Sequence, residues 1–194
     1  MSKSNFFATV SRMKYIDRWS LMRNTVSENL SEHSLEVAFI AHLLCVLRNK
    51  RFGGNVDANK AAVYAMYHDT TEIITGDLPT PIKYYSANIR SAYSEIEKNA
   101  ANRLLSQLPD DLRSEYEPFV IGDADDEIKS LVKAADKISA LIKCVEERQM
   151  GNCDFADAEK ATLAAIKNMH IKEADVFLDE FMQGYGMTID RLSE

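Results

Sequence analysis

Residues 61–81 read AAVYAMYHDTTEIITGDLPTP and join an apolar helical run to three side chains that can carry chemistry. Apolar residues recur at the i, i+3, i+4 spacing across positions 62–67, which is typical of a helix face packed into a core. The run therefore predicts a helix that carries His68 and Asp69 to the edge of a buried layer. Glu72 lies four residues after His68, a spacing that places it over the same patch of helix surface.

A His-Asp pair at a helix end has two interpretations. It occurs often by chance as a solvated helix end, and the dipeptide alone is a weak signal of metal binding. The turn that follows, residues 76–81, contains two prolines flanking Thr80, which fix the local backbone. This turn is either a rigid connection and nothing more, or a loop that holds Asp77 and the Thr80 hydroxyl toward a ligand.

The length and composition are those of a globular domain. A chain of 194 residues can bury about 70% of its unfolded surface as one domain, so we expect a single domain over residues 1–194. The net charge of -7 disfavours sequence-independent binding to a nucleic acid polymer. A small anionic ligand remains compatible with a local group of basic residues.

Nothing in the sequence predicts export or a membrane anchor. Polar residues at positions 11, 12 and 14 interrupt the N-terminal region, and no run approaches 18 apolar residues. The three cysteines, Cys45, Cys144 and Cys153, lack CxxC spacing, so neither a disulfide framework nor a zinc knuckle is indicated. We therefore expect a soluble protein of the reducing cytoplasm.

The periodicity of the whole chain predicts an all-α fold, because no alternating strand pattern with hairpin signals is found. Ser31 is the predicted N-cap of the second helix. That helix is expected to end before Gly53-Gly54. Its predicted inward stripe is Leu35, Phe39, His42, Leu43 and Val46. Further helices are predicted at about residues 88–107, 126–149, 154–168 and 173–183, with a shorter one that starts at Pro109-Asp110 and ends near residues 118–122.

An irregular segment precedes the second helix. Residues 16–30 have no sustained period and contain the only tryptophan of the chain. Long irregular connections in compact domains are usually functional or mobile. Arg18 and Trp19 are therefore either a surface arginine beside a core-anchoring tryptophan, which is the commoner arrangement, or a ligand-binding pair.

Four residues on three separate helices form a candidate metal-ligand set. His33 lies in the first turn of the second helix, and His68 and Asp69 lie at the end of the central helix. Asp136 lies beside the apolar stripe of the helix at 126–149, where a carboxylate is costly unless it is paired, hydrogen-bonded or bound to a metal. Two imidazoles and two carboxylates suit a borderline divalent transition metal with an open position for water.

This H…HD…D pattern resembles the HD-domain superfamily of metal-dependent phosphohydrolases. Longer stretches are similar to the bacterial 5′-deoxynucleotidases of the YfbR type, and the similarity covers essentially the whole chain. These stretches are RWSLMRN (18–24), SENLSEHSLEVA (27–38), AMYHDTTEIITGDLPTPIKY (65–84) and EIKSLVKAADKISALIKCVEE (127–147).

The resemblance implies a single helical HD-domain bundle that forms a homodimer. It implies hydrolysis of deoxyribonucleoside 5′-monophosphates to deoxynucleoside and phosphate, with one divalent ion per chain (Co²⁺, Mn²⁺ or similar). The implied metal ligands are His33, His68, Asp69 and Asp136.

Catalytic roles are implied for Glu72 and for Arg18, which would orient the phosphate. The implied substrate contacts are Arg18, Trp19, His33, Asp69, Asp77, Leu78, Pro79 and Thr80. A phosphomonoester dianion repels a nucleophile, so a divalent ion together with Arg18 would neutralise its charge. Glu72 would take a proton from water or give one to the leaving 5′ oxygen, and the sequence leaves both roles open.

Three alternatives remain at this point. The first is a different HD phosphohydrolase, acting on other nucleotides or on a guanosine alarmone. The DLPTP loop and the Arg18-Trp19 pair disfavour it. A di-iron HD oxygenase would need further histidines, and only His42 and His170 are left. The third is a catalytically silent scaffold that binds a nucleotide or a protein partner, which the intact ligand set and Glu72 disfavour.

Overall fold

A computed structural model describes residues 3–79, 82 and 85–193. Regular structure in this part of the chain is helical, apart from an isolated antiparallel bridge between Asp17 and Asn29. The predicted all-α fold is therefore confirmed. The helices, in chain order, are α1 (Phe6–Val10), α2 (Leu30–Arg51), α3 (Ala58–Tyr67), α4 (Glu72–Thr75), α5 (Ala87–Leu105), α6 (Asp110–Val120), α7 (Asp126–Gln149), α8 (Ala156–Asn168), α9 (Lys172–Glu180) and α10 (Ile189–Leu192).

The chain divides into two compact units. The first comprises Met1–Leu21, Ser27–Leu35 and Met66–Ala124. Its hydrophobic core is built on Phe6 of α1, which is 0% exposed and packs with the buried side chains of α5 and α6. Tyr67 packs against this cluster and immediately precedes His68. The core of the first unit therefore fixes the end of α3, where the candidate chemistry begins.

The second unit comprises Met22–Val26, Glu36–Ala65 and Asp125–Glu194. Its longest helix, α7, buries the predicted stripe, and Leu131, Ala135 and Ile138 are each 0% exposed. The bounds of α7 agree with the sequence prediction because its apolar period is strong and acidic residues occupy its first turn. The prediction of one domain over residues 1–194 stays a prediction.

The N-terminus of α2 differs from the prediction. Asn29, not Ser31, caps the helix, because its Oδ1 accepts hydrogen bonds from the backbone N–H groups of Ser31 (3.0 Å) and Glu32 (3.1 Å). The Glu32 carboxylate accepts in return from the Asn29 backbone N–H at 3.3 Å. This reciprocal pair is a capping box, which the sequence analysis did not find because it placed the start of the helix too late.

The predicted inward stripe of α2 is also wrong. Leu35 and Phe39 are 48% and 67% exposed, and His42 is exposed as well. The buried face instead contains Val37, Ile40, Ala41, Leu44 and Cys45. The helix is apolar on nearly all sides, so its periodicity does not select one face.

The apolar character of α2 has a second consequence. By length and composition alone this helix is able to cross a membrane, yet 56% of its most apolar window is buried within the fold. It also carries His33, which is 0% exposed. We therefore interpret α2 as a core helix of the fold.

Candidate active site

A tight turn, and not a continuous helix, carries the His-Asp pair. Helix α3 ends at Tyr67 and α4 begins at Glu72, so the prediction that His68 and Glu72 share one helical face is wrong. The backbone N–H and the hydroxyl of buried Thr70 both donate to the Tyr67 carbonyl, at 3.1 Å and 2.8 Å. Thr70 thereby competes with helical hydrogen bonding and ends α3. The Glu72 N–H donates to the Asp69 carbonyl at 3.0 Å, which keeps Glu72 beside the pair.

The Asp69 carboxylate is the centre of a histidine cluster in the first unit. Asp69 Oδ2 lies 3.2 Å from His68 Nε2 and 3.6 Å from His33 Nε2. The two imidazole rings are 5.5 Å apart between centroids, and a ligand nitrogen of one lies within 4.8 Å of a ligand nitrogen of the other. Two histidine nitrogens and a carboxylate oxygen directed to one place are a donor set that suits a divalent transition metal.

The electrostatics of this cluster keep Asp69 ionised. Burial alone would raise the pKa of this carboxyl group, but the charge and hydrogen bond of His68 oppose burial. The charges of His33 and Arg18 act in the same direction, so the net pKa lies well below its ordinary value. Asp69 is therefore a carboxylate at neutral pH, the form in which it can bind a cation.

Asp136 lies on α7 in the second unit. It is partly buried and follows Ala135, which is 0% exposed, so it occupies the edge of the buried stripe as expected. Its role as a metal ligand stays a prediction.

Arg18 and Trp19 are held beside the cluster by a residue that the sequence analysis missed. Glu28 Oε2 accepts hydrogen bonds from Arg18 Nε at 3.2 Å and from Trp19 Nε1 at 3.1 Å. Arg18 Nη1 lies 3.7 Å from Asp69 Oδ2, and the Arg18 side chain is 12% exposed. The arginine is therefore partly enclosed at the cluster and is not a free surface side chain.

The loop after α4 begins at Gly76, whose φ of 74° lies in the left-handed region that glycine adopts without strain. Glu72 is 4% exposed, and its carbonyl accepts from the Gly76 N–H at 2.8 Å. The hydroxyl of Tyr93 on α5 donates to Thr75 Oγ1 at 3.1 Å and fixes the end of α4. The predicted substrate-loop residues Asp77, Leu78 and Pro79 are partly exposed, whereas Thr80 lies outside the described residues.

The fold has close counterparts among solved structures. An HD-domain phosphohydrolase from Listeria innocua superposes with a TM-score of 0.80 at 24% identity, over 98% of this chain and 89% of that one. The HD phosphohydrolase DatZ of cyanophage S-2L, solved with dA and one catalytic Zn²⁺ ion, superposes with a TM-score of 0.66 at 18% identity, over 91% of this chain and 95% of that one. The fold is therefore that of the HD-domain phosphohydrolases.

Sequence comparison gives the family. Residues 5–185 match the model of the YfbR-like 5′-deoxynucleotidases. A 5′-deoxynucleotidase of Vibrio cholerae serotype O1 is 47% identical over 194 residues, which is 100% of both chains. The 5′-deoxynucleotidase YfbR of Shigella boydii serotype 18 is 45% identical over 100% of this chain and 98% of its own.

The chain belongs to the YfbR-like family and is a 5′-deoxynucleotidase. The resemblance seen in the sequence, the helical fold and the hydrolase activity are thereby confirmed. Full-length relatives with this activity also favour it over the other HD-domain functions considered from the sequence.

Proposed function

We propose that this enzyme removes phosphate from deoxyribonucleoside 5′-monophosphates at a site formed by His33, His68, Asp69 and Asp136 with one divalent ion. One observation carries the proposal. Asp69 Oδ2 faces His68 Nε2 at 3.2 Å, His33 Nε2 at 3.6 Å and Arg18 Nη1 at 3.7 Å. A cation site and a phosphate-binding arginine would thus lie next to each other, as the hydrolysis of a phosphomonoester requires.

The residues of the cluster fit a divalent ion such as Co²⁺ or Mn²⁺. Histidine nitrogens and carboxylate oxygens are ligands that such ions share, and the donor set does not choose among them. When bound, the ion supplies Lewis-acid charge to the phosphate and activates water for attack. Asp136 is proposed as the fourth ligand because it matches the last position of the family's H…HD…D pattern and lies at the edge of a buried helix face.

Arg18 is proposed to bind and orient the substrate phosphate. A guanidinium group can donate two parallel hydrogen bonds to phosphate oxygens, and this arrangement fixes both distance and angle. Its carboxylate partners Glu28 and Asp69 define where the side chain lies before substrate binds. Trp19 is proposed to form the wall beside the 2′ carbon of the sugar, which would disfavour a ribose hydroxyl.

Glu72 is proposed as the group that moves a proton. Glu72 is 4% exposed, and its backbone N–H donates to the Asp69 carbonyl at 3.0 Å, so it lies beside the proposed ligand residues. It either takes a proton from the attacking water or gives one to the leaving 5′ oxygen. Asp77, Leu78 and Pro79 are proposed to contact the substrate, together with His33 and Asp69 and with Thr80, which lies outside the described residues.

We further propose a cytoplasmic homodimer. The exposed side chains of Leu35 and Phe39 on α2 give the protein an apolar surface of the kind that mediates association. Buried Cys45, buried Cys144 and exposed Cys153 form no disulfide, which suits a reducing compartment.

The substrate proposal is tested by phosphate release from all deoxyribo- and ribonucleoside 5′-monophosphates, with Co²⁺, Mn²⁺, Mg²⁺ or Zn²⁺ added to metal-depleted enzyme. We expect metal-dependent release from the deoxyribonucleotides and slower release from the ribonucleotides. Equal rates on the two sugars would refute the role of Trp19. Release that is independent of any metal would refute the metal site.

Glu72→Gln tests the proton-transfer role. Loss of a general acid or base costs about 10²–10⁴-fold in rate, so we expect turnover to fall by this factor while metal binding is retained. Metal bound per chain is measured on the same sample. A Glu72→Gln enzyme that had lost its metal would show that Glu72 is a ligand.

A further inference from the structure

Glu28 contacts three residues that the proposed function assigns to different tasks. One carboxylate oxygen, Oε2, accepts from Arg18 Nε at 3.2 Å and from Trp19 Nε1 at 3.1 Å. The other oxygen, Oε1, lies 3.9 Å from His33 Nδ1, a distance that allows electrostatic attraction and is too long for a hydrogen bond. The Glu28 side chain is 14% exposed, so these interactions are only partly screened by water.

The backbone of Glu28 reinforces the contacts of its side chain. The Glu28 carbonyl accepts from the Arg18 N–H at 2.9 Å, and the Leu30 N–H donates to the Ile16 carbonyl at 3.0 Å. These hydrogen bonds flank the antiparallel bridge between Asp17 and Asn29. The segment before α2 is thus folded back along the Arg18 segment, and Glu28 holds Arg18 through both its main chain and its side chain.

Within this arrangement Trp19 has a strained backbone conformation. Its φ of 56° lies in the left-handed region, which a bulky residue rarely adopts. Such a conformation is strained and persists only where the surroundings determine it. The hydrogen bond from the indole to Glu28 is one contact that does so.

We propose that Glu28 is a positioning residue, which aims the Arg18 guanidinium and the Trp19 indole at the substrate and orients His33. This inference rests on the proposed function of those residues. An arginine whose Nε donates a hydrogen bond to a carboxylate presents its terminal nitrogens in a fixed plane, so less rotational freedom is lost when it binds phosphate. The carboxylate facing Nδ1 of His33 favours the ring orientation in which Nε2 faces Asp69.

A double-mutant cycle tests the proposal. The variants are Glu28→Gln, Arg18→Ala and the double substitution, with Glu95→Gln, an exposed charge-removing change on α5, as the matched control. Steady-state kcat and KM are measured on a deoxyribonucleotide and on its ribonucleotide counterpart. Changes to residues that orient metal ligands typically cost about 10–100-fold, and we expect a fall in kcat/KM of this size for Glu28→Gln and none for the control.

Arg18 and Trp19 give separate readouts of this role. If Glu28 acts through Arg18, the effects of the two substitutions will not be additive. The factor by which Glu28→Gln lowers kcat/KM should then be at least about 3-fold smaller in the Arg18→Ala background than in the wild type. An equal factor in both backgrounds would overturn the coupling. We also expect the deoxyribose-to-ribose preference to fall in Glu28→Gln as Trp19 is released, and an unchanged preference would overturn the part that concerns Trp19.

A second variant separates positioning from folding. Glu28→Asp keeps the charge but draws the carboxylate back toward the main chain, so we expect an intermediate kcat/KM and a melting temperature near that of the wild type. Activity of Glu28→Asp equal to the wild type would contradict the need for this geometry. If the wild type releases no phosphate, the proposed function fails; if it is active and Glu28→Gln behaves as Glu95→Gln, only the positioning role fails.

Discussion

Replacing Glu147 with alanine is expected to destabilise the protein strongly, because this carboxylate is the buried centre of a polar network in the second unit. Glu147 is 1% exposed and forms an ion pair with Lys143, which is 6% exposed. It also accepts from Asn152 Nδ2 at 2.7 Å and from the backbone N–H groups of Thr25 (2.9 Å) and Val26 (3.2 Å). The network therefore fixes the segment Met22–Val26 against α7.

The expected loss in the free energy of unfolding depends on the Lys143 charge that the alanine substitution leaves buried. Removing one partner of a buried ion pair costs about 3–5 kcal/mol, since the other charge is left in a poorly hydrated position. Lys143 keeps the Val26 carbonyl as an acceptor at 2.5 Å, so the lower end of that range applies. A loss of about 3 kcal/mol lowers the melting temperature of a domain of this size by about 6–12 °C.

Thermal unfolding followed by circular dichroism measures this effect. Glu95→Ala, an exposed glutamate on α5, is the control for a Glu-to-Ala change in a helix and should leave the midpoint nearly unchanged. A Glu147→Ala protein that melts within about 2 °C of the wild type would refute the reasoning, because the network would then contribute less than about 1 kcal/mol.

Two further predictions follow from the same structure. Burial would raise the pKa of Glu147, but the hydrogen bonds from Lys143, Asn152 and Thr25 hold it well below the ordinary value of 4.5. The stabilisation is therefore present at neutral pH and is lost as the pH falls below about 4.5 toward the folded-state pKa. The difference in melting temperature between the wild type and Glu147→Gln should shrink from pH 7 to pH 4. A constant difference would contradict this prediction. Leu44→Ala should lower the free energy of unfolding by about 2–5 kcal/mol in chemical denaturation, because Leu44 lies on the buried face of α2. Phe39→Ala, on the exposed face, should chiefly weaken self-association in sedimentation experiments. Equal losses of stability in the two variants would contradict the assigned faces of α2.

Some features of the fold could be predicted because one local signal dominated. The apolar stripe of α7 is regular, and its acidic first turn marks where it begins, so both bounds were correct. The start of α3 carries a similar local signal, because the side chain of Asp57 accepts a hydrogen bond from the Lys60 N–H at 2.9 Å and caps the helix. These interactions lie within a few residues of each other, and sequence spacing represents them directly.

Other features depend on contacts that local spacing does not contain. Asn29 and Ser31 are both good capping residues, and the hydrogen bond from Leu30 to the Ile16 carbonyl decides that α2 begins at Leu30. Glu28 was missed because its partners lie nine and ten residues earlier and reach it only through a backbone bridge. An acidic residue in an irregular segment beside Arg18 and Trp19 is the one signal that could have suggested it.

The residue types of the candidate site could be predicted from the sequence, whereas the backbone turn that positions them could not. His33, His68 and Asp69 meet in the first unit as the residue types suggested. The sequence did not indicate that a turn formed by Thr70 separates His68 from Glu72. A buried threonine hydroxyl that ends a helix gives no periodic signal, whereas the surrounding apolar run does.

We propose that one divalent ion is held by His33, His68, Asp69 and Asp136. Equilibrium dialysis with Co²⁺ or Mn²⁺ tests it most directly when wild type and Asp136→Asn are compared, with Asp126→Asn as an exposed control on the same helix. We predict about one ion per chain for the wild type and the control, and an affinity loss of at least about 10-fold for folded Asp136→Asn. Wild-type affinity in Asp136→Asn would contradict the account.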